Sequence, residues 1–182
     1  HEGCAWSADD KLILTAGEDK TMRLYDSTTL AQTAIMYGHR AAVRCCRFSP
    51  DSRRIVSGSE DTTLKLYVSL DFFFFFIYIY FPVKQNNNRW ETRRHCKVAT
   101  FSGHTKAVTC VAFSPDSRTV VSGSDDKTLI EWNATNAKKI AQWTKHKAPI
   151  TDVAYSTDGN FPPPLSRSPS FFYPVTHNKH SQ

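Results

Sequence analysis

A pattern of short strands that recurs at a fixed interval constrains the fold more than any other feature of this sequence. An aromatic residue before a Ser-rich turn occurs at Trp6, Phe48, Phe113 and Tyr155, at intervals of 42, 65 and 42 residues. The runs around these residues alternate apolar with polar side chains and are separated by Asp-, Ser- and Pro-containing turns, which predicts antiparallel strands. A unit of about 42 residues with four short strands is the spacing expected of propeller blades.

The best-formed copy of the unit runs from residue 103 to residue 133. Its strands are predicted at 108–113, 119–124 and 128–132. A closing aromatic residue, at Tyr25, Tyr67 and Trp132, follows the first aromatic of its copy by 19 residues in all three cases. Three equal separations indicate that the copies are true repeats of one structural unit.

Short motifs recur at matching places in these units. They are Gly-His at 38–39 and 103–104, FSPDS at 48–52 and 113–117, and SGSEDTT at 57–63 or SGSDDKT at 122–128. These motifs resemble the WD-repeat family of β-propellers, whose unit combines Gly-His, an FSPD-like turn, an SGSxDxT segment and a closing Trp-Asp. The resemblance implies an all-β fold, a partial antiparallel β-propeller of about three four-stranded blades plus the start of a fourth.

The repeat also suggests how the chain is divided. We expect a WD-repeat propeller fragment at 1–159, interrupted by an atypical insert, and a Pro-rich irregular or disordered tail. The blades are expected near 3–37, 38–102 and 103–144, the start of a fourth blade at 145–159, the insert at 68–90 and the tail at 160–182.

The insert accounts for the long middle interval, because its 23 residues are the difference between 65 and 42. Its apolar run at 72–81 is shorter than the roughly 20 residues that a membrane-spanning helix needs, so no membrane span is predicted. One hypothesis is a translated intron, because Val-Ser can be encoded by a splice-donor-like sequence and a Phe/Ile/Tyr run implies T-rich codons. The alternative is a genuine loop that carries a binding or membrane-surface element.

The tail departs from the repeat after Gly159. Five prolines between 161 and 174 exclude a regular central strand, so we expect disorder or a second gene-model error, with a polyproline ligand motif as the alternative. A closed propeller typically has about four to eight blades. We therefore expect this chain to be a fragment of a longer protein or the product of an incorrect gene model.

Charge and cysteine content limit the classes of function. The formal net charge is +6, but 68–90 and 160–182 contribute half of it, so the repeats are only mildly basic. This argues against a nucleic-acid partner, which requires clustered Lys and Arg. The five cysteines show no CxxC spacing and no nearby His pair, so no metal site or cofactor is predicted. We expect free thiols in an intracellular protein, cytoplasmic or nuclear.

Ser, His and Asp recur together and could suggest a catalytic triad. Their presence in two successive units argues instead for a structural role, since an active site needs one copy. The resemblance to WD repeats implies a tetrad in which Asp holds His, His meets a strand hydroxyl and the hydroxyl meets the Trp N–H. No catalytic residue is predicted, and the two tetrads are His39, Ser57, Asp61 and Tyr67, and His104, Ser122, Asp126 and Trp132.

The resemblance also implies that the Gly-His loops and the SxD turns share one face of the propeller. We predict a non-enzymatic scaffold that mediates protein–protein interactions within an intracellular multi-subunit complex. The alternative is an RNA- or modified-peptide-binding module, which would need a continuous basic or aromatic face. The residues of this face, called the rim below, are Glu18, Lys20, Arg40, Glu60, Thr105, Lys106, Asp125, Lys127, Lys145 and Lys147. Its three acidic residues interrupt the positive charge.

Overall fold

The computed structural model describes residues 3–69 and 95–155, and this part of the chain is all-β. Twelve antiparallel strands form three four-stranded sheets within it, and each sheet is one blade with its strands in chain order. The first blade contains β1 (Cys4–Trp6), β2 (Leu12–Ala16), β3 (Met22–Asp26) and β4 (Gln32–Met36). The second contains β5 (Val43–Phe48), β6 (Arg54–Ser59), β7 (Thr63–Ser69) and β8 (His95–Ser102). The third contains β9 (Val108–Phe113), β10 (Thr119–Ser124), β11 (Leu129–Asn133) and β12 (Lys139–Trp143).

The Ser-rich motif closes the hairpin between the first two strands of each blade. In the third blade the Ser114 hydroxyl donates to Asp116 (2.6 Å) and accepts from the Thr119 N–H (2.9 Å). Ser117 then takes a left-handed backbone conformation with φ of 60°. The same arrangement occurs in the other two blades, so the motif specifies this turn through local side-chain hydrogen bonds.

The pairing of the last two strands is the same in all three blades. A bulge precedes the closing aromatic residue in each blade, and the aromatic then pairs with Gln32, Lys97 or Lys139. In the second blade the paired residues lie 23 positions further apart than in the other two. Because a bulge fixes the strand register, the second blade holds 23 residues more than its neighbours need at this turn.

Most of the predicted insert lies outside the described residues. Its first two residues, Val68 and Ser69, continue β7, and their backbones pair with Cys96 and His95 of β8. The pairing therefore fixes how many residues are extra but not where between β7 and β8 they begin. The predicted tail at 160–182 also lies outside the described residues.

The core lies between the sheets, because successive blades pack face to face. The first two blades share a cluster that contains Leu14, Leu24, Cys46 and Ile55. A second cluster joins the second and third blades. Its members include Val56, Leu64, Leu66, Phe101, Val108, Val111, Val120, Ile130 and Trp132. Each sheet buries its faces against its neighbours, as the interval of 42 residues predicts.

The described residues after Trp143 form no strand but pack against the third blade. Ile150 joins Cys110, Val121 and Leu129 in an apolar cluster, and its N–H donates to the Ser124 carbonyl oxygen (3.2 Å). This contact is equivalent to the bond from the Val43 N–H to the Gly17 carbonyl (3.1 Å) between the first and second blades. Residues 145–155 therefore begin to cover the third blade as a following blade would.

Deleting residues 68–90 is expected to leave the second blade folded. The six residues 91–96 would then connect Tyr67 to Lys97, as six residues connect Tyr25 to Gln32. A shorter loop costs less closure entropy, so the free energy of unfolding should rise by about 1 kcal/mol. Chemical denaturation of the chain with and without these residues measures the change.

Deletion of 68–92 is the matched control, because it leaves a connector of only four residues and should strain the pairing of β7 with β8. Loss of cooperative unfolding in the 68–90 deletion itself would contradict the prediction.

Candidate functional site

A chain of hydrogen bonds runs through the interior of the third blade. The Trp132 Nε1–H donates to the Ser122 Oγ (2.8 Å), which lies 2.8 Å from the His104 Nε2. The His104 Nδ1 lies 2.9 Å from the Asp126 Oδ2. Ser122 and Trp132 are buried at the centre of the sheet, and His104 is nearly so. Each of the four side chains predicted as a tetrad therefore lies within hydrogen-bonding distance of the next one.

The protonation states follow from the surroundings of each group. Burial opposes ionisation of Asp126, but donors from Thr128, Thr105 and His104 outweigh it and hold the pKa of the carboxyl at about 2. Burial lowers the pKa of His104 despite its bond to Asp126, so the ring is neutral near neutral pH. A neutral ring donates from Nδ1 to Asp126 and accepts at Nε2 from Ser122. Every donor in this series of hydrogen bonds, from Trp132 to Asp126, therefore has an acceptor.

This geometry differs from that of a catalytic triad in what surrounds the serine. Ser122 has no exposed surface, and its oxygen already accepts from the Trp132 indole. A substrate carbonyl would need to approach that oxygen closely, and no space exists for it beside the packed indole. The arrangement instead ties the loop that carries His104 and the turn that carries Asp126 to the two inner strands of the sheet.

Close packing explains the glycine that precedes His104. A Cβ on Gly103 would lie 2.9 Å from the Cη2 of Trp132, closer than real carbon contacts. The indole also meets the Phe101 ring edge-on, with 5.6 Å between ring centroids. Glycine is therefore required here, because the backbone before the histidine passes directly over the indole.

The second blade repeats the arrangement with one difference. His39 lies 2.9 Å from Asp61 through Nδ1 and 2.7 Å from Ser57 through Nε2. Burial raises the pKa of Tyr67 to about 12, against an opposing effect of the nearby Ser57 hydroxyl. The Tyr67 hydroxyl donates to the Tyr37 carbonyl oxygen (3.3 Å), because a phenol extends further than an indole N–H. It therefore anchors the backbone that leads into the Gly-His pair.

In the first blade the turn aspartate pairs with an arginine and not with a histidine. Asp19 accepts from the N–H and hydroxyl of Thr21 and forms an ion pair with Arg23. No histidine contacts Asp19 in the part of the chain that the structure describes. The turn keeps its shape, with Lys20 in the left-handed conformation that Thr62 and Lys127 adopt in the other blades.

The rim residues lie on loops and turns at one edge of the three sheets. Backbone hydrogen bonds join the Gly-His loops to the SxD turns, from Glu60 to Ala42 and from Asp125 to Ala107, both at 3.0 Å. Nine of the ten rim residues are exposed and Asp125 is half-buried. Arg44, which the sequence pattern did not indicate, adds an ion pair with Glu60.

The described residues offer little that could hold a metal or cross a membrane. They contain no group of three or more His, Cys, Asp or Glu side chains placed to ligate one ion. No helix among them is long and apolar enough to cross a membrane. Of the four cysteines whose side chains are described, Cys4 is exposed, the other three are buried and all four are free thiols.

Three stacked four-stranded sheets with a repeated tetrad define a protein built from β-propeller blades. The family model WD40, described as "WD domain, G-beta repeat", matches residues 2–26, 30–67 and 95–133, which is more than half of the chain. This chain belongs to the WD-repeat family. The match is interrupted between 67 and 95, where the second blade holds its extra residues.

Several curated proteins are similar to parts of the chain. The serine-threonine kinase receptor-associated protein of Gallus gallus is 27% identical over 157 residues, which covers 76% of this chain and 44% of that protein. Small ribosomal subunit protein RACK1y of Oryza sativa subsp. japonica is 43% identical over 60 residues (32% of this chain, 18% of that protein). Pre-mRNA-processing factor 19 of Caenorhabditis elegans is 36% identical over 62 residues (34% and 13%). The chain spans less than half the length of each of these relatives.

Replacing Asp126 with Ala is expected to lower the free energy of unfolding by about 1–3 kcal/mol, because it leaves the buried His104 and the Thr105 N–H without an acceptor. Asp125→Ala in the same turn is the matched control and should change stability little. Urea denaturation measures both. Unchanged stability in Asp126→Ala would contradict the structural role of the tetrad.

Acidification is expected to destabilise the protein in two stages. Burial lowers the pKa of His39 and His104 in the folded state, so stability falls as the pH drops below their ordinary value of 6.5. The pKa of Asp61 and Asp126 is about 2 when folded against 3.8 ordinarily, so a second loss begins below 3.8. Unfolding midpoints measured across this range test both stages. Replacing both histidines with Gln should flatten the first stage, and an unchanged slope would contradict it.

Proposed function

We propose that this chain is a non-enzymatic scaffold that binds other proteins of an intracellular complex, cytoplasmic or nuclear, through its rim. One observation carries the proposal: the tetrads of two successive blades fix the turns and loops that present six of the ten rim residues, which are Arg40, Glu60, Thr105, Lys106, Asp125 and Lys127. A rigid framework with exposed polar loops is suited to recognition, because little conformational entropy is lost on binding.

The relatives support this proposal in general terms. Their names place one of them in the small ribosomal subunit, one in pre-mRNA processing and one in association with a kinase receptor. Two of these names refer to a subunit of an assembly or to association with another protein.

The charge of the rim favours a protein partner over RNA. Six rim residues are basic, but Glu18, Glu60 and Asp125 lie among them, and Glu60 neutralises Arg44. A surface that tracks a phosphate backbone needs a continuous basic stripe, whereas mixed charges suit another protein surface. Exposed aromatic residues that could stack on bases are absent from the rim itself.

Charge reversal at two rim lysines tests the proposal. The double substitution Lys20→Glu and Lys127→Glu changes the turns of the first and third blades and should weaken partner binding by about tenfold or more. Affinity purification of the tagged protein from its own cell extract, with quantitative mass spectrometry, measures which proteins are retained.

The matched control reverses Lys11 and Arg118, which are also exposed and lie on the turns at the opposite edge of the same two blades. It carries the same change of net charge. The proposal fails if the rim variant retains the same proteins as the unmodified chain, or if the control loses them equally.

A further inference from the structure

A small polar cleft of about 350 Å³ opens in the second blade beside the tetrad. Three basic side chains line it, those of Arg40, Lys65 and Lys97. Asp61 is the one acidic residue that lines it among the described residues. This volume is at the lower end of the range of small-ligand sites, about 300–1,000 Å³.

Lys65 is the unusual member of this group. It lies within β7 and is only 7% exposed, yet among the described residues its ammonium group makes one hydrogen bond, to the Thr100 hydroxyl at 3.4 Å. No carboxylate of the described chain lies within ion-pairing distance of it. Burial lowers the pKa of Lys65, and the neighbouring Lys97 lowers it further. An ammonium group that lines a cleft with three N–H donors and one weak acceptor is suited to receive an anion.

Asp61 forms no direct ion pair with Lys65, and both of its oxygens already accept hydrogen bonds from other groups. One oxygen accepts from His39 and the Arg40 N–H, and the other accepts from the N–H and hydroxyl of Thr63. In the first blade, where no histidine is bound, the equivalent aspartate pairs with the equivalent cation, Arg23. The tetrad of the second blade therefore leaves its lysine without a direct ion pair.

The cleft is specific to the second blade. The strand register places Arg23 and Ile35 at the paired positions of the first blade, and Ile130 and Gln142 at those of the third, where the second has Lys65 and Thr100. The lysine stems meet over Gly38, where an added Cβ would lie 3.5 Å from the Lys65 Cδ and 3.6 Å from the Lys97 Cδ. This glycine has φ of 141° and lets both stems reach the cleft.

We propose that this cleft binds a phosphate monoester carried by a partner protein. Three cations and one carboxylate give the cleft a charge of about +2, which matches the charge of about −1.5 to −2 on a phosphorylated side chain. A carboxylate or a nucleic-acid phosphodiester carries only one negative charge. The hydroxyls of Thr100 and Ser102 provide further donors.

The inference rests on the proposed scaffold function only for the source of the phosphate, so the anion site and its source are tested separately. Inorganic phosphate and O-phosphoserine should raise the melting temperature of the full chain relative to chloride and acetate at equal ionic strength. Lys65→Ile, which introduces the residue of the third blade, should abolish this increase without lowering the melting temperature in chloride. Lys97→Gln should weaken it, and Lys139→Gln at the position in the third blade equivalent to Lys97 should not. An equal increase in Lys65→Ile overturns the site.

Fluorescence anisotropy with a degenerate pool of phosphoserine peptides then tests the source. The phosphorylated pool should bind about tenfold or more tightly than the same pool after phosphatase treatment or with Glu in place of phosphoserine, and Lys65→Ile should remove the difference. Tighter binding of a single-stranded RNA overturns the assignment in favour of nucleic acid. If Lys65→Ile retains every protein that the rim variant loses, the scaffold function stands and the phosphate-bearing partner is wrong.

Discussion

The hydrogen bonds that converge on the turn aspartate are the interaction on which the second and third blades depend. Asp126 accepts from the backbone and hydroxyl of Thr128, from the Thr105 N–H and from His104. It therefore closes its own turn and also holds the loop that arrives from the preceding blade. Because His104 continues the chain inward to Ser122 and Trp132, the outer loops and the inner strands are fixed together. This one carboxylate therefore holds together the loop at Thr105 and the turn at Thr128.

Much of this arrangement could be predicted from sequence because it depends on local spacing. The predicted strands 108–113 and 119–124 coincide with β9 and β10, since Ser-Pro-Asp turns and alternating apolar residues fix both ends. The partners of His104 lie 18 and 22 residues along the chain, within one blade. A repeat brings such residues together in the same way each time, so recognising the unit is enough to pair them.

The features that sequence did not indicate depend on contacts across strands and blades. The bond from Tyr67 to the Tyr37 carbonyl joins the second blade to the residue that follows β4 of the first, and it depends on the reach of the phenol across this contact. The burial of Lys65 is similar, because an isolated lysine in an alternating strand is normally placed on the solvent side. Its environment depends on Lys97, which is 32 positions away and pairs with Tyr67, two positions along β7 from Lys65.

The three blades together show how one motif yields different local chemistry. The turn aspartate is constant, but its partners are Arg23 in the first blade and a histidine in the other two. Where histidine binds the carboxylate, the position equivalent to Arg23 is apolar in the third blade, as Ile130, and carries a cation without a direct ion pair in the second, as Lys65. Ile130 completes the core of the third blade, whereas Lys65 brings an ammonium group with one hydrogen bond into the cleft of the second. A blade that forms its tetrad and keeps its lysine therefore retains an ammonium group that can pair with a bound anion.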